Sequence, residues 1–344
     1  MNRILDDLWL GHSMRWFVPP PPPPFLFHGL HSPFRPFFDY IHPAIDRLSP
    51  VLSDENHHDY YNLYTHRPAS TMPDSFIKPA KTLKPFNRQY VTLTCLGKGG
   101  FGQVFDGRQR SDNTPVVMKF LPKNRIINWG TFEDKRVPYE IELLWRLRGL
   151  SGVIRIFEHF EEPERFIFIM EKVPNSCTLF HFIIESSPLE NTELLRHIFR
   201  EMIRINIALQ TYGIWHRDCK LENILYCKTD RSLRFIDFGS AAPVQSEDFY
   251  EFHGTLEIMV PEWIIQKRYD GERSCVWALG ICLYFLLFQQ YPFRSKVAII
   301  NGRSQLPFTS SSDKEAYHTM KQCLHANEYR RPKLITLQSL PWLD

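Results

Sequence analysis

The stretch His216-Arg217-Asp218-Cys219-Lys220-Leu221-Glu222-Asn223 decides the fold of this 344-residue chain, and Asp237-Phe238-Gly239 follows it. The two segments fit the patterns H-R-D-x-x-x-x-N and D-F-G, with every specified position filled. At about a 5% chance per specified residue, this order and spacing is very improbable by accident. Chemically, the stretch offers a carboxylate as proton acceptor, a nearby lysine, and an amide and a second carboxylate as the hard oxygen ligands that Mg²⁺ prefers.

A glycine-rich run lies upstream, directly after a predicted strand at 90–96. It reads Gly97-Lys98-Gly99-Gly100-Phe101-Gly102-Gln103-Val104 and matches G-x-G-x-x-G-x-V. Glycines let the backbone approach phosphate oxygens closely and present N–H groups to them. The alternative, a dinucleotide-binding oxidoreductase, requires a helix within the glycines and an acidic residue about 20 positions further on. The strand continues through Val104 and Lys119 stands at that distance, so the pattern disfavours a dinucleotide.

Lys119 ends a predicted strand whose sequence, V-V-M-K, is close to V-A-I-K. A lysine in this pattern holds the α- and β-phosphates of a nucleotide, and it needs a carboxylate to fix its position. Glu140 lies in the first turn of a helix predicted from the apolar spacing of residues 138–147. Glu133 and Glu142 are its rivals.

The predicted elements change character along the chain. Strands come first and helices follow, which predicts two lobes with a cleft between them. The strands are predicted at 90–96, 116–120, 154–160 and 166–170, and the helices at 193–212, 275–288 and 313–325.

With these motifs in place, residues 90–344 resemble a eukaryotic protein kinase catalytic domain, and they are most similar to the Pim group of the calmodulin-dependent-kinase branch. The closer match is carried by residues 127–140, 151–166, 235–242, 261–274 and 276–287. The resemblance implies an α+β, bilobal protein kinase fold spanning 86–344. It has a small β-rich N-lobe (90–170), a hinge (171–177) and a larger α-helical C-lobe (178–344).

The resemblance also implies an ATP- and Mg²⁺-dependent serine/threonine kinase that acts on protein substrates. In it, Asp218 accepts the proton of the substrate hydroxyl, and Lys220 offsets charge on the transferred phosphoryl group. Lys119, held by Glu140, grips the α- and β-phosphates, and Mg²⁺ is bound by Asn223 and Asp237. The nucleotide is cradled by Leu96, Gly97, Lys98, Gly99, Gly100, Phe101, Gly102, Val104, Glu171 and Val173. A structural ion pair is implied between Glu262 and Arg331.

The sequence departs from the Pim pattern at the positions expected to select arginine-rich peptides. Carboxylates are replaced there, while Glu222 is kept; the replacing residues are Thr178, His181, Leu221, Phe285 and Gln290. We therefore expect a weaker or altered preference for basic substrates. The hinge proline, Pro174, is displaced by one position, and Cys275 stands where most kinases place an aspartate.

Regulation by phosphorylation would fall on residues 240–256, which contain Ser240, Ser246, Tyr250 and Thr255. Arg217 could pair with a phosphate there, but the Pim-like pattern favours activity without one. A pseudokinase scaffold is the alternative function. It is disfavoured because the lysine and both aspartates expected in an active kinase are all present.

Residues 1–85 differ in composition from the rest and are interpreted as a disordered Pro/His-rich arm. They hold 14 of the 26 prolines and 7 of the 14 histidines, but only 2 of the 16 glycines. Six consecutive prolines, 19–24, are predicted to form a polyproline II rod, which is a candidate ligand for an SH3- or WW-like domain. A plain spacer is the alternative.

Composition limits the remaining function classes. A formal charge of +3 over this length is too weak to predict nucleic-acid or membrane-surface binding. The longest apolar run, 277–288, is too short to span a bilayer. Seven cysteines without a CxxC pair and no secretory signal indicate reduced intracellular thiols. We expect a monomer in the cytoplasm, with the nucleus as an alternative location.

Overall fold

The β-rich part of the chain forms a five-stranded antiparallel sheet with the order β1-β2-β3-β7-β6. A computed structural model describes residues 85–99, 102–186, 192–302 and 314–343, all within one compact unit, Ser70–Asp344. The predicted arm, except Pro85, and two glycine-loop residues, Gly100 and Phe101, lie outside the described residues. The strands of the sheet are β1 (Tyr90–Gly99), β2 (Gly102–Gln109), β3 (Pro115–Pro122), β6 (Ile156–Glu161) and β7 (Arg165–Glu171).

Strand β3 separates two hydrophobic layers. Val116, Met118 and Phe120 are buried in one cluster on one face of the sheet. Successive strand residues point to opposite faces, so Lys119 points the other way, as does Leu121, which belongs to the main core. The alternation of side chains along this strand therefore turns the predicted lysine toward the cleft.

A hairpin and a helix lie between β3 and β6 in the chain and form part of the cleft. A hairpin of β4 (Trp129–Phe132) and β5 (Lys135–Pro138) leads directly into helix α2 (Tyr139–Arg146). Pro138 stands just before the helix, where its missing N–H costs nothing. The helix was predicted from the sequence; the hairpin was not. A short helix, α1 (Phe86–Gln89), precedes β1.

The second part of the described chain is mainly helical, which confirms the predicted bilobal α+β fold. Its central helix, α6, runs from Gly271 to Phe288 and is held at its start by the Asp270 side chain, which accepts from the backbone N–H of Arg273. This helix has the length and composition of a membrane span, but 67% of it is buried in the fold. The other helices are α3 (Leu179–Glu185), α4 (Thr192–Thr211), α5 (Pro261–Gln266), α7 (Lys296–Ile300), α8 (Lys314–Cys323) and α9 (Leu334–Leu337).

Short strands carry the motif residues between these helices. They bring the end of the hinge, the His216–Asn223 stretch and the D-F-G segment to one side of the cleft. Ser176–Thr178 pairs with Ile224–Cys227, and Ile224–Cys227 pairs with Leu233–Phe235, while Ile214–Trp215 pairs with Ala242–Pro243. They are β8 (Ser176–Thr178), β9 (Ile214–Trp215), β10 (Ile224–Cys227), β11 (Leu233–Phe235) and β12 (Ala242–Pro243).

Candidate active site

Lys119 is the centre of a buried cluster of charges in the cleft. Its Nζ lies 2.8 and 2.9 Å from the two carboxylate oxygens of Glu140 and 2.8 Å from Asp237 Oδ1. Burial alone would lower the pKa of Lys119, but the charges of Glu140 and Asp237 outweigh it and raise that pKa. The lysine is therefore a permanent cation, and its partner is the residue that the resemblance selected.

The two rival glutamates lie elsewhere. Glu133 is exposed in the turn between β4 and β5, with φ of 48°. Glu142 is on α2, but its carboxylate accepts a hydrogen bond from the backbone N–H of Thr131, at 2.8 Å. Of these three glutamates, Glu140 is the one that accepts a hydrogen bond from Lys119 in the part of the chain that the structure describes.

Asp237 begins the D-F-G segment in an unusual backbone conformation, with φ of 61°. Its side chain accepts a hydrogen bond from the backbone N–H of Gly239. Burial opposes ionisation of this half-buried carboxyl, but Lys119 outweighs that effect and lowers its pKa. Phe238 is buried against the ring of His216, with centroids 4.7 Å apart. This packing aims the carboxylate of Asp237 into the cleft as an anion.

Asp218 is held from several sides by the residues around it. Its Oδ2 accepts from Asn223 Nδ2 at 2.7 Å and lies 3.1 Å from Lys220 Nζ. Its Oδ1 accepts from both the backbone N–H and the hydroxyl of Thr255, each at 3.2 Å. The side chain is 7% exposed, so it is fixed in one orientation at the surface of the cleft.

His216 sets the backbone beneath Asp218. Burial lowers its pKa, so the ring is neutral at physiological pH. Its Nε2 lies 3.1 Å from the carbonyl oxygen of Ile236 and carries the proton, which leaves Nδ1 to accept from the backbone N–H of Asp218 at 3.3 Å. One histidine thus links the His216–Asn223 stretch to the residue before Asp237.

The residues expected to hold Mg²⁺ and nucleotide suit those groups chemically. Because Asn223 Nδ2 donates to Asp218, its Oδ1 is the atom that can face a cation, together with the carboxylate of Asp237. In the glycine-rich loop, no described atom lies within 4 Å of a Cβ added at Gly97 or Gly99. Nothing described in the protein therefore requires glycine at those two positions, whereas closely approaching phosphates would.

The rest of the predicted nucleotide cradle lies around the same opening. Leu96 on β1 is 56% exposed, and Val104 on β2 pairs with Lys119 on β3.

Glu171 at the end of β7 accepts from the backbone N–H of Arg155. The carbonyl of Val173 accepts from the hydroxyl of Ser176. Of the remaining members, Lys98 is exposed, and Gly102 has φ of 136°, where an added Cβ would lie 2.3 Å from the carbonyl oxygen of Phe120.

The segment after D-F-G is tied down by contacts that the sequence motifs did not reveal. Phe249 forms a bridge with Tyr269, and its ring lies 4.7 Å from the Arg217 guanidinium. Arg217 Nε is buried without a hydrogen-bond partner among the described residues. Of the phosphorylation positions considered, Ser240 is buried and Thr255 bonds to Asp218. The ring of Phe249 therefore faces Arg217, the arginine that could otherwise pair with a phosphate.

A buried thiol–amide network supports the catalytic stretch where most kinases place an aspartate. Cys275 Sγ lies 3.2 Å from Asn206 Oδ1, and Asn206 Nδ2 lies 3.8 Å from Cys219 Sγ. Cys282 Sγ lies 3.8 Å from the carbonyl oxygen of Cys219. Asn206 carried no sequence signal, because a single asparagine inside an amphipathic helix belongs to no motif.

Two of the five positions expected to select basic substrates hold buried apolar side chains, Leu221 and Phe285, whereas Thr178 and Gln290 are half-buried and His181 is exposed. Phe285 is 3% exposed, with ring centroids 5.3 Å from Phe180 and 5.0 Å from Tyr291. Leu221 is buried. The retained Glu222 accepts a hydrogen bond of 2.8 Å from the Tyr291 hydroxyl.

The implied structural ion pair between Glu262 and Arg331 is present. Arg331 donates two hydrogen bonds of 2.7 Å to Glu262, and its side chain is fully buried. It also donates to the carbonyls of His325 and Arg273. The pair joins helix α5 to the chain before α9.

Comparisons with known proteins agree with this geometry. Residues 90–343 match the family model described as protein kinase domain. The chain is 32% identical over 268 residues to serine/threonine-protein kinase pim-2 of Danio rerio, covering 75% of this chain and 86% of that protein. It is 30% identical to serine/threonine-protein kinase prk-2 of Caenorhabditis elegans and 33% identical to the PAS domain-containing serine/threonine-protein kinase of Mus musculus. Each of these matches covers 75% of this chain, but 59% and 19% of the respective relative.

Proposed function

This chain belongs to the protein kinase family and is a serine/threonine protein kinase, and from that premise we propose how its own residues divide the reaction. Asp218 accepts the proton of the substrate hydroxyl and orients its oxygen. Lys220, 3.1 Å from that carboxylate, offsets charge on the transferred phosphoryl group. The observation that carries the proposal is Lys119 Nζ within 2.9 Å of both Glu140 and Asp237.

Nucleotide and metal would bind on the residues that face the cleft. Asn223 and Asp237 would hold Mg²⁺, which neutralises phosphate charge when it is bound. The backbone at Gly97 and Gly99 and the ammonium of Lys119 would hold the phosphates of ATP.

A variant at Asp218 tests the assignment. We expect the full-length Asp218→Asn protein to lose roughly 100-fold or more in peptide phosphorylation, because general-base catalysis is worth about that factor. Asp230→Asn is the matched control, since Asp230 is an exposed turn residue that accepts from the backbone N–H of Ser232. Equal activity of Asp218→Asn and wild type would overturn the role of Asp218.

We propose that the hinge donates a backbone hydrogen bond to the adenine through Val173. The displacement of the hinge proline to Pro174 leaves an N–H on Val173, which a proline at that position could not supply. Relative to the Pim pattern, the hinge should therefore offer the base a backbone N–H donor in addition to its backbone carbonyl acceptors.

We propose a substrate preference that depends less on arginine than the resemblance alone would imply. Losing several carboxylates removes charge-assisted contacts of roughly 1.5–3 kcal/mol each. The aromatic packing around Phe285 and the hydroxyl bound to Glu222 support this reading. A positional peptide library measures it, and arginine selectivity as strong as that of Pim kinases would refute it. Gln290→Asp should raise arginine selectivity, whereas the matched Gln290→Asn should not.

We further propose activity without phosphorylation of residues 240–256, in the cytoplasm or the nucleus. The Lys119–Glu140 pair is made by two side chains outside residues 240–256, and Phe249 lies against Arg217, the residue that would pair with a phosphate. Phosphatase-treated protein should keep its turnover. Its complete loss, restored by rephosphorylation, would contradict the proposal.

A further inference from the structure

The β4–β5 hairpin runs along helix α2 and bonds to it next to the catalytic glutamate. Glu142, two residues beyond Glu140, accepts a hydrogen bond of 2.8 Å from the backbone N–H of Thr131 on β4. A Cβ added at Gly130 would lie 2.1 Å from that carboxylate. Glycine at this position therefore lets the side chain of Glu142 close onto the hairpin backbone.

Aromatic rings continue the contact along the helix. Phe132 at the end of β4 stacks on Trp145 of α2, with centroids 4.8 Å apart and ring planes 14° apart. Trp145 Nε1 donates to His159 Nδ1 on β6 at 3.2 Å. At the start of the helix, the backbone N–H of Tyr139 donates to the carbonyl of Asn128 at 2.9 Å. The start of α2 is thus joined to the residue before the hairpin, and its end is joined to both the hairpin and the sheet.

A helix of eight residues has too few turns to be stable alone, so its position depends on what it packs against. Its active position is the one in which Glu140 reaches Lys119, and that contact spans two elements that could separate. The hairpin supplies side-chain and backbone contacts to α2 from within the same chain.

We propose that the β4–β5 hairpin is a built-in clamp that holds α2 with Glu140 against Lys119, and that Phe132, Glu142 and Trp145 are positioning residues for phosphoryl transfer. This inference rests on the proposed function of the lysine–glutamate pair. It adds the contacts that keep the pair formed.

A double-mutant cycle on the full chain tests the clamp. Phe132→Ala should lower kcat/KM roughly three- to tenfold, the worth of one aromatic stacking contact. In the Glu140→Gln background the same change should cost less than about twofold, because the pair that the clamp protects is already broken. Phe132→Tyr keeps the ring and should restore activity. Phe157→Ala is the control, since Phe157 packs in the cluster on the opposite face of the sheet.

Amide hydrogen exchange gives a readout that does not need activity. In Phe132→Ala, the amides of α2 (Tyr139–Arg146) should exchange faster, while those of α4 (Thr192–Thr211) should not change. Equal fold-losses of activity in both backgrounds, or faster exchange in α2 and α4 alike, would overturn the clamp. If the wild-type chain transfers no phosphate at all, that failure belongs to the proposed function, and the exchange measurement still decides the clamp.

Discussion

Replacing Glu140 with glutamine tests the centre of the site most directly. The change keeps the size of the side chain but removes its charge, and the wild-type carboxylate receives two hydrogen bonds from Lys119, of 2.8 and 2.9 Å. Losing the charge-assisted part of both bonds costs about 2–4 kcal/mol. Because this stabilisation is lost from the transition state, kcat/KM should fall roughly 30- to 900-fold.

The pH profile should change in a direction that the same contacts fix. In the wild type, the charges of Glu140 and Asp237 together outweigh burial and raise the pKa of Lys119. With Asp237 alone to oppose burial, the pKa of Lys119 falls. The alkaline limb of activity in Glu140→Gln should therefore begin at lower pH than in the wild type.

Peptide phosphorylation at several ATP concentrations, repeated across pH, measures both effects. Glu133→Gln is the matched control, because Glu133 was a sequence rival and lies exposed in the hairpin turn; we expect less than about a twofold change, as for other surface substitutions. The reasoning is refuted if Glu140→Gln retains near-wild-type activity, or if Glu133→Gln is equally damaging.

Three further predictions concern stability and nucleotide binding. Arg331→Met should lower the free energy of unfolding by about 3–5 kcal/mol, because it leaves the buried charge of Glu262 unpaired; thermal denaturation with the double variant Arg331→Met/Glu262→Leu as control should show most of the loss recovered. Val173→Pro should raise the KM for ATP roughly three- to tenfold by removing one hydrogen-bond donor, with kcat little changed, and an unaltered KM contradicts it. Burial lowers the pKa of His159 to about 4, so below pH 6.5 the unfolded chain binds a proton that the folded chain does not. The free energy of unfolding should therefore fall by about 3 kcal/mol from this group as the pH drops from 6.5 toward 4. Chemical denaturation across this pH range should show a smaller decrease for His159→Gln than for the wild type. The same decrease in both proteins would contradict the assignment.

Local patterns in the sequence were enough to predict the main elements. Strands β1, β3, β6 and β7 and helices α2, α4, α6 and α8 lie close to their predicted positions, because apolar periodicity reports which face of an element is buried. The β4–β5 hairpin was missed. Its polar residues and single glycine give no alternating apolar signal, and its strands are stabilised by packing on α2 rather than by their own burial pattern.

By itself, the sequence determined the chemical parts of the site, since a lysine, two aspartates and an asparagine must be of those residue types to do this chemistry. It could not determine which of them touch. Lys119 and Asp237 are 118 positions apart, and their contact depends on strand alternation, on the pairing of short strands in the second lobe and on the closure of the cleft. The Arg217–Phe249 contact and the hold of the hairpin on α2 were likewise decided only in the tertiary structure, because aromatic and cationic groups pair through space and leave no spacing in the chain.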